Sequence, residues 1–420
     1  MEKPRVFYGY WVLAVAFLSV FLFSGCSAGV FSLFVKPLQS DFGWGRGEIM
    51  VAFTVNLLVI ALTAPFIGGL IDRCGVRGVI SAGAFIAGVG FAFLNFISNL
   101  WHFYVSYATI GIGMAAMGQV PSTALVSNWF VKRRGTAIGI MSVGVGAGVL
   151  VLAPIVGGYL LPNYGWRISY LALAILTWLF IPLVLLIVKT RPSDLGLYPD
   201  GEARPASNFE GDLVRTGRDE LNLKMALGTS AFWLIIITFF INAFSGLGVI
   251  QNQAPHLQDM GFPLATATAV MTGVGLGSSV GKFIFGWLCD RIQPKYACAI
   301  SFGFLAVGTI LSIQAGPTSS LAFIWLYAIV LGLGGGGWLP TMSMLVNNNF
   351  GLASYGAVFG AVTLVQSSGG AFGPLFVGFM YDAMGTYHWA FVICLALYAI
   401  AIPAVLAIRR PKVLAPGLSK

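Results

Sequence analysis

The chain has 420 residues, of which 58% are hydrophobic and only 9% are charged. In a soluble domain about a quarter of all residues are charged, so the composition excludes an ordinary water-soluble protein. A formal net charge of +9 would suggest nucleic-acid binding in a soluble chain. Here the basic residues lie almost entirely in polar loops between apolar runs. We therefore expect the lipid bilayer, and no nucleic acid, as a partner.

The apolar runs predict an all-α membrane protein with twelve transmembrane helices, because about 20 apolar residues are enough to span the hydrocarbon core. The first six spans are expected near residues 10–35, 49–71, 79–97, 102–127, 136–161 and 167–189. The second six are expected near residues 226–254, 265–289, 297–314, 320–345, 355–381 and 389–409. A polar, proline-containing stretch typical of a linker separates the two sets. The predicted parts are an N-terminal half, a cytoplasmic linker and a C-terminal half, at residues 1–189, 190–225 and 226–420.

The basic residues predict how the spans are oriented. Of the 23 lysines and arginines, only Lys36, Arg46 and Arg167 fall on the side away from the termini, and Lys282 falls inside a span. All the others lie on the side that holds both termini and the linker. Cytoplasmic loops carry the excess of Lys and Arg, so both termini are expected in the cytoplasm.

Glycines recur at matching places in the two halves. The fifth and eleventh spans carry four such pairs at a spacing of 221 residues, namely Gly135, Gly139, Gly148 and Gly157 with Gly356, Gly360, Gly369 and Gly378. Two parallel repeats of six helices are typical of carriers that expose one site to the two sides of a membrane in turn. We therefore expect two pseudo-symmetric halves.

A charged motif follows the second span. The segment GGLIDRCGVR at 68–77 resembles the GxxxDRxGxR loop of the major facilitator superfamily, and its matching residues are Gly68, Asp72, Arg73, Gly75 and Arg77. A carboxylate beside arginines at a helix end can form charge-assisted bonds to the neighbouring helix and hold one side of a carrier shut. The alternative is that these charges only orient the chain.

A second copy of the motif follows the eighth span. It retains Asp290 and Arg291 but has Gln293 where the glycine would stand. Two copies at matching positions are more specific than one. The resemblance to the major facilitator superfamily implies its fold, with twelve transmembrane helices in two six-helix halves.

A narrower resemblance begins at Trp129. The segment WFVKRRGTAIGIMSVG, with the basic triplet Lys132, Arg133 and Arg134, is similar to the fifth-helix signature of monocarboxylate porters. It implies the bacterial monocarboxylate and oxalate/formate-like branch, and hence a multi-pass protein of the bacterial inner membrane. The resemblance also implies a small monocarboxylate such as lactate or pyruvate as substrate, moved with protons or by anion exchange, and a monomer.

Lys282 is the unusual residue of the chain. It lies eight residues before Asp290, so at ~1.5 Å per residue it is ~12 Å inside the end of the eighth span, near the middle of the ~30 Å core. An ammonium group there costs about 2.5 to 3.5 kcal/mol and requires a partner or a water-filled cavity. All 14 acidic residues fall in loops or at helix ends, so a substrate anion is the expected partner. The alternative is that Lys282 extends its head group to the interface.

The resemblance implies a basic residue, usually arginine, at this place, often with an aspartate one turn earlier. Here Ser278 occupies that earlier position and is a candidate substrate-binding residue, so coupling through an aspartate is not expected. An unpaired ammonium in a low-dielectric cavity tends to lose its proton, and a bound carboxylate would restore it. Two coupling modes therefore stay possible: symport of a proton with the anion, and exchange of one anion for another.

Other polar residues are candidates to orient the substrate. They lie in four different spans and are Gln119, Asn252, Trp338, Gln366 and Ser367. Each could bind a carboxylate or hydroxyl group. For the neutral polar side chains, hydrogen bonding between helices is an equally good explanation.

The sequence favours no enzyme, because it places no nucleophile with a base, carboxylate pair or metal-ligand set at membrane depth. The scattered cysteines and histidines predict no metal site and no cofactor. Two alternatives to a monocarboxylate carrier stay open. They are a major facilitator carrier for a larger aromatic or vitamin-like solute such as riboflavin, and a membrane sensor that does not transport.

Overall fold

The computed structural model describes residues 7–131, 134–201, 223–350 and 355–410. Within these ranges the secondary structure is helical throughout. Its long helices follow one another in the order that the apolar runs predict, and we number them α1 to α12. The twelve transmembrane helices of the predicted fold class are all found in the described part of the chain.

The helices of the first half are α1 (Gly9–Cys26 and Ala28–Phe42), α2 and α3 (together Arg46–Phe93), α4 (Leu100–Met117 and Gln119–Trp129), α5 (Arg134–Ala153 and the π-helical Pro154–Leu160) and α6 (within Leu161–Ile187). Those of the second half are α7 (Ser230–Asp259), α8 (Leu264–Arg291), α9 (Pro294–Gln314), α10 (Leu321–Gly336 and Trp338–Phe350), α11 (Tyr355–Met384) and α12 (His388–Leu406). A short helix, Leu223–Leu227, precedes α7.

Two very short turns separate helices that otherwise run on without a gap. Gly75 divides α2 from α3 with φ 73° and ψ 156°, and Gly165 divides α5 from α6 with φ 75° and ψ 177°. Only glycine adopts these dihedral angles without strain. Ten stretches of the described chain are long and apolar enough to span a membrane; one of them, Thr136–Ile187, contains both α5 and α6, and α11 is not among the ten.

The structure adds interruptions that the apolar runs do not reveal. α1 breaks at Ser27, α4 breaks at Gly118, and α10 breaks at Gly337. α1 also continues past its predicted end at residue 35 and stops at Phe42, where Gly43 adopts φ 70°. The charged and polar residues after position 35 are therefore helical, because a helix can continue beyond the hydrocarbon core.

Repeated glycines give the two halves the same internal packing. A side chain at Gly148 of α5 would collide with the backbone carbonyl of Phe21 in α1. In the second half, a Cβ at Gly369 of α11 would lie 2.5 Å from the carbonyl oxygen of Phe240 in α7. Small residues let these pairs of helix backbones approach closely. This equivalence supports the pseudo-symmetry predicted from the glycine spacing.

The start of the linker packs against the first half. The Asn128 amide nitrogen donates to the Thr190 carbonyl oxygen at 3.0 Å, and just before the linker the Trp129 indole donates to the Lys189 carbonyl oxygen at 2.9 Å. The middle of the predicted linker, residues 202–222, lies outside the described residues. The domain boundaries at residues 189 and 225 stay predictions.

Successive helices cross the bundle in opposite directions, so the termini and turns lie at two ends. We call the end with residues 7, 190 and 410 the terminal face. The other end, with the turns at 43–45, 260–263 and 385–387, is the opposite face.

Candidate functional site

The motif between α2 and α3 forms a sharp turn at the terminal face. A Cβ at Gly75 would lie 3.0 Å from the Thr190 hydroxyl oxygen, so the turn fits closely against the linker start. Arg73 is exposed, and Arg77 is partly buried. Gly68 lies in α2 with no neighbouring atom within 4 Å of a Cβ. The side chain of Asp72 lies outside the described residues, so its predicted gating contact stays a prediction.

The other predicted gating residues are also at the terminal face. Asp290 and Arg291 are exposed at the end of α8, and the Arg291 guanidinium lies 5.1 Å from the centre of the Trp287 ring. Lys132 and Arg133 lie outside the described residues, as does the side chain of Arg134. Their role in gating therefore stays a prediction.

One side of the candidate site is the contact between α5 and α8, which we call the α5–α8 seam. Near the opposite face, a side chain at Gly157 would collide with Thr268. Towards the middle of the seam, a side chain at Gly146 would collide with Ser279. The two helices run antiparallel and belong to different halves, so the seam joins the halves near the centre of the bundle.

Lys282 also contacts α5 at this seam. Its ammonium group donates to the carbonyl oxygen of Ser142 at 3.3 Å, and the side chain is partly exposed. One turn further towards the terminal face, a Cβ at Gly139 or at Gly286 would meet no atom within 4 Å. Lys282 thus lies next to positions with free space on both helices, and its partner is a neutral carbonyl oxygen.

Lys282 forms no ion pair among the described residues. The nearest acidic residue on its helix, Asp290, is exposed two turns away. Ser278, one turn earlier on α8, is partly buried. A positive charge here, held only by a carbonyl dipole, can accept an anionic ligand without first losing a carboxylate partner.

Two further predicted residues occupy equivalent places in the two halves. Gln119 begins the second segment of α4, directly after the break at Gly118. Trp338 begins the second segment of α10, directly after Gly337. Both side chains are partly buried. The α10 break is also near Lys282, because a Cβ at Gly336 would lie 2.9 Å from the Lys282 backbone nitrogen.

The remaining predicted residues belong to the second half. Asn252 is fully buried, and its amide nitrogen donates to the carbonyl oxygens of Gly248 at 2.9 Å and Pro374 at 3.4 Å. Its side chain therefore links α7 to α11, as expected for a hydrogen bond between helices. Gln366 and Ser367 on α11 are partly buried. A role of these three residues in substrate binding stays a prediction.

The described residues contain no group of three or more His, Cys, Asp or Glu side chains that could hold a metal ion.

The superfamily is decided by the match of the chain to a family model. The model of the Major Facilitator Superfamily matches residues 16–374. The chain belongs to the Major Facilitator Superfamily.

Several transporters resemble the chain over most of its length. Monocarboxylate transporter 11 of Homo sapiens is 27% identical over 399 residues, with 91% of this chain and 79% of the relative covered. The oxalate:formate antiporter of Oxalobacter formigenes is 23% identical, with 87% and 84% covered. The gallate transporter of Pseudomonas putida is 25% identical, with 89% and 85% covered.

Solved structures of other transporters have the same fold. A bacterial homologue of the human lysosomal transporter Spinster superimposes with a TM-score of 0.74 at 17% identity, covering 99% of this chain and 100% of the other. A D-xylose–proton symporter gives a TM-score of 0.75 at 17% identity, covering 96% and 98%. The predicted major facilitator fold is therefore confirmed. The prediction of a major facilitator transporter rather than an enzyme is also confirmed, as is its resemblance to monocarboxylate and oxalate:formate carriers.

The sequence did not predict one cluster of charged residues in this major facilitator protein. Arg46, predicted to be an ordinary loop charge, lies in the first turn of α2 and is 2% exposed. Its guanidinium forms an ion pair with Asp259 at the end of α7. A signal was present in the sequence, because the three basic residues on this side all belong to the first half. Asp259 and Asp382, from the second half, lie on the same side.

Proposed function

We propose that this transporter moves a small monocarboxylate, of the lactate or pyruvate type, across the bacterial inner membrane by alternating access. Both termini would lie in the cytoplasm, and the working unit would be a monomer. The observation that carries the proposal is Lys282, an ammonium group at the junction of the two halves whose partner is a neutral carbonyl oxygen. A substrate carboxylate would supply the missing negative charge.

The number of charges limits the substrate class. Lysine is a single point charge without the two parallel donors of arginine, so it suits one carboxylate group. Gln119, Trp338 and Ser278 are the neutral polar contacts that we propose beside it. Ser278 lies one turn before Lys282, and Trp338 follows Gly336, where a Cβ would lie 2.9 Å from the Lys282 backbone nitrogen. The names of the relatives point in the same direction, since they include monocarboxylate, oxalate, formate and gallate carriers.

We further propose that Lys282 couples transport to protons. An ammonium without an acidic partner would release its proton when the site is empty and regain it when a carboxylate binds, so that loaded and empty carriers both cross uncharged. If Lys282 instead stays charged in the empty carrier, exchange of one anion for another is favoured. Retention of full proton coupling by Lys282→Arg would contradict the lysine mechanism, because arginine does not deprotonate in proteins.

The test is uptake of labelled substrate by proteoliposomes with an imposed pH gradient. A panel of lactate, pyruvate, oxalate, gallate and riboflavin separates the substrate classes. Lys282→Ala should lower uptake of the small monocarboxylate at least about 30-fold, since loss of one partner of a buried charge pair costs about 2 kcal/mol or more. Lys295→Ala is the matched control, because Lys295 is a lysine at the terminal face beside Tyr296.

Three outcomes would contradict the proposal. Equal uptake by Lys282→Ala and wild type would remove Lys282 from the site. Uptake of riboflavin and of no small carboxylate would identify the protein as a carrier of larger solutes. Binding of a carboxylate without net flux would identify a sensor.

A further inference from the structure

The two halves are joined at the opposite face by a set of charged contacts that we call the opposite-face latch. The latch consists of Lys36 and Arg46 from the first half with Asp259, Asp382 and Tyr387 from the second half. None of these residues belongs to the candidate substrate site around Lys282.

Arg46 is the centre of the latch. Its Nη2 donates to Asp259 Oδ1 at 2.7 Å, while its Nη1 bonds to Asp259 Oδ2 and donates to the Tyr387 hydroxyl at 2.8 Å. Nε donates to Gln39 Oε1 at 3.1 Å, and the guanidinium carbon lies 3.8 Å from the centre of the Tyr381 ring. The paired bonds between guanidinium and carboxylate are the strong, planar arrangement that arginine allows. The Arg46 side chain is 2% exposed and Asp259 is 23% exposed, so the guanidinium is shielded from water and the carboxylate only partly.

Two more contacts surround this pair. The Lys36 ammonium lies 2.6 Å from Asp259 Oδ1, so one carboxylate receives cations from both α1 and α2. At the start of α2, the backbone N–H groups of Arg46 and Gly47 donate to the Asp382 carboxylate at 2.9 and 2.6 Å. A carboxylate from α11 therefore caps a helix of the other half, where the helix dipole favours negative charge.

The latch uses most of the acidic residues of the second half. Residues 226–420 contain three acidic side chains, Asp259, Asp290 and Asp382, and two of them are in the latch. If the halves part at the opposite face, Arg46 and both carboxylates lose partners that only the other half provides. Removal of one partner of a buried ion pair is costly, so this movement is opposed.

Between described residues, no ion pair joins the two halves at the terminal face. On the α5–α8 seam, a Cβ at Gly139 or Gly286 would meet no atom within 4 Å. The same holds for Gly69 of α2 and Gly360 of α11. These two helices touch closely near the opposite face, where the Thr54 hydroxyl donates to the Ala371 carbonyl oxygen at 2.6 Å.

From this asymmetry we infer that the opposite-face latch sets the resting state of the carrier. In the absence of substrate it holds the opposite face closed and the terminal face open. The carrier opens the opposite face only when the guanidinium of Arg46 separates from Asp259 and water replaces the lost contacts. The latch is thus a two-state element of the kind that controls rigid-body switching between halves.

The test measures distances between spin labels by pulsed electron paramagnetic resonance in proteoliposomes without substrate. One label pair, at Ser98 and Thr318, spans the opposite face, and a second, at Val131 and Gln293, spans the terminal face. The background carries Cys74→Ser, since Cys74 is the exposed cysteine and the other four are buried. Asp259→Asn should increase the long-distance population at the opposite face at least about tenfold and shorten distances at the terminal face.

A matched control exists on the same face. Asp41 pairs with Arg167 at 3.4 Å, but both residues belong to the first half and both are about half exposed. Asp41→Asn should leave both distance distributions as in the wild type. Arg46→Gln combined with Asp259→Asn removes the pair without leaving a buried charge, so it should fold and shift the population in the same direction.

Unchanged distances in the Asp259→Asn and double variants would overturn the inference. An equal shift in Asp41→Asn would do the same, because it would reduce the effect to general surface charge. The measurement uses no substrate. A failure of the monocarboxylate proposal would therefore leave this result standing, and the reverse is also true.

Discussion

Lys282 and Arg46 are both basic residues held within the bundle, and their surroundings give them different roles. Arg46 is bonded to a carboxylate, a hydroxyl and an amide oxygen, so its charge is already compensated. The Lys282 ammonium has one neutral carbonyl oxygen at 3.3 Å, so its charge can still attract an anion. A compensated cation suits a contact between halves, and an uncompensated one suits a ligand site.

At the residue scale we also expect Gly75→Ala to destabilise the protein. Gly75 has φ 73° and ψ 156°, a region that is essentially closed to other residues and costs of order 1 to 3 kcal/mol. Thermal unfolding in detergent should therefore show a clearly lower midpoint for Gly75→Ala. Gly68→Ala is the control, because Gly68 is helical and has free space around it. Equal midpoints for the two variants would contradict the assigned turn.

At the scale of elements, the α5–α8 seam is tightly packed towards the opposite face and has free space at two glycines towards the terminal face. Its contacts at Gly157 and Gly146 require glycine, whereas the positions of Gly139 and Gly286 have free space. Small residues in the closed part let the backbones touch. For alternating access, the open part must be able to close when the opposite face opens.

We therefore expect Gly139→Leu to fold normally but to transport slowly. In the conformation described, a Cβ at Gly139 meets no atom within 4 Å, so the thermal midpoint should stay close to that of the wild type. When the seam closes, the leucine would hold α5 and α8 apart, and the uptake rate should fall about tenfold because a conformational step limits it. Gly303→Leu on α9, which also has free space, should transport like the wild type. Similar rates for the two variants would show that the seam does not close at Gly139.

At the scale of the whole molecule, the ends of the bundle differ in charge. The terminal face carries most of the basic residues, while the opposite face carries the latch. By the positive-inside rule we propose that the terminal face lies towards the cytoplasm. In that orientation the resting carrier would be open to the cytoplasm and closed to the outside.

The exposed thiol of Cys74 allows this orientation to be checked. Cys74 lies at the terminal face next to the turn at Gly75, while the other four cysteines are buried. A membrane-impermeant maleimide should label inside-out vesicles and leave intact cells unlabelled. Cys74→Ser should remove the signal. Labelling of intact cells at Cys74 would reverse the proposed topology.

The sequence by itself determined the helical fold, the number of spans, the repeat and the unusual position of Lys282. These features depend on local hydrophobicity and on where charges fall along the chain, which the order of residues states directly. It also located the two glycine turns near residues 75 and 165 to within a few residues, because α2, α3, α5 and α6 are each apolar enough to be seen separately.

Only the tertiary structure decided which charges meet and which end of the bundle is closed. Arg46 pairs with residues 213 and 336 positions away in the chain, and no local pattern encodes such a distance. The breaks at Ser27, Gly118 and Gly337 were also not visible, because glycine and serine are common throughout these spans and only contacts with neighbouring helices select the place of a break. The physical reason is the same in each case: composition fixes which segments enter the membrane, and packing between halves fixes how they are arranged there.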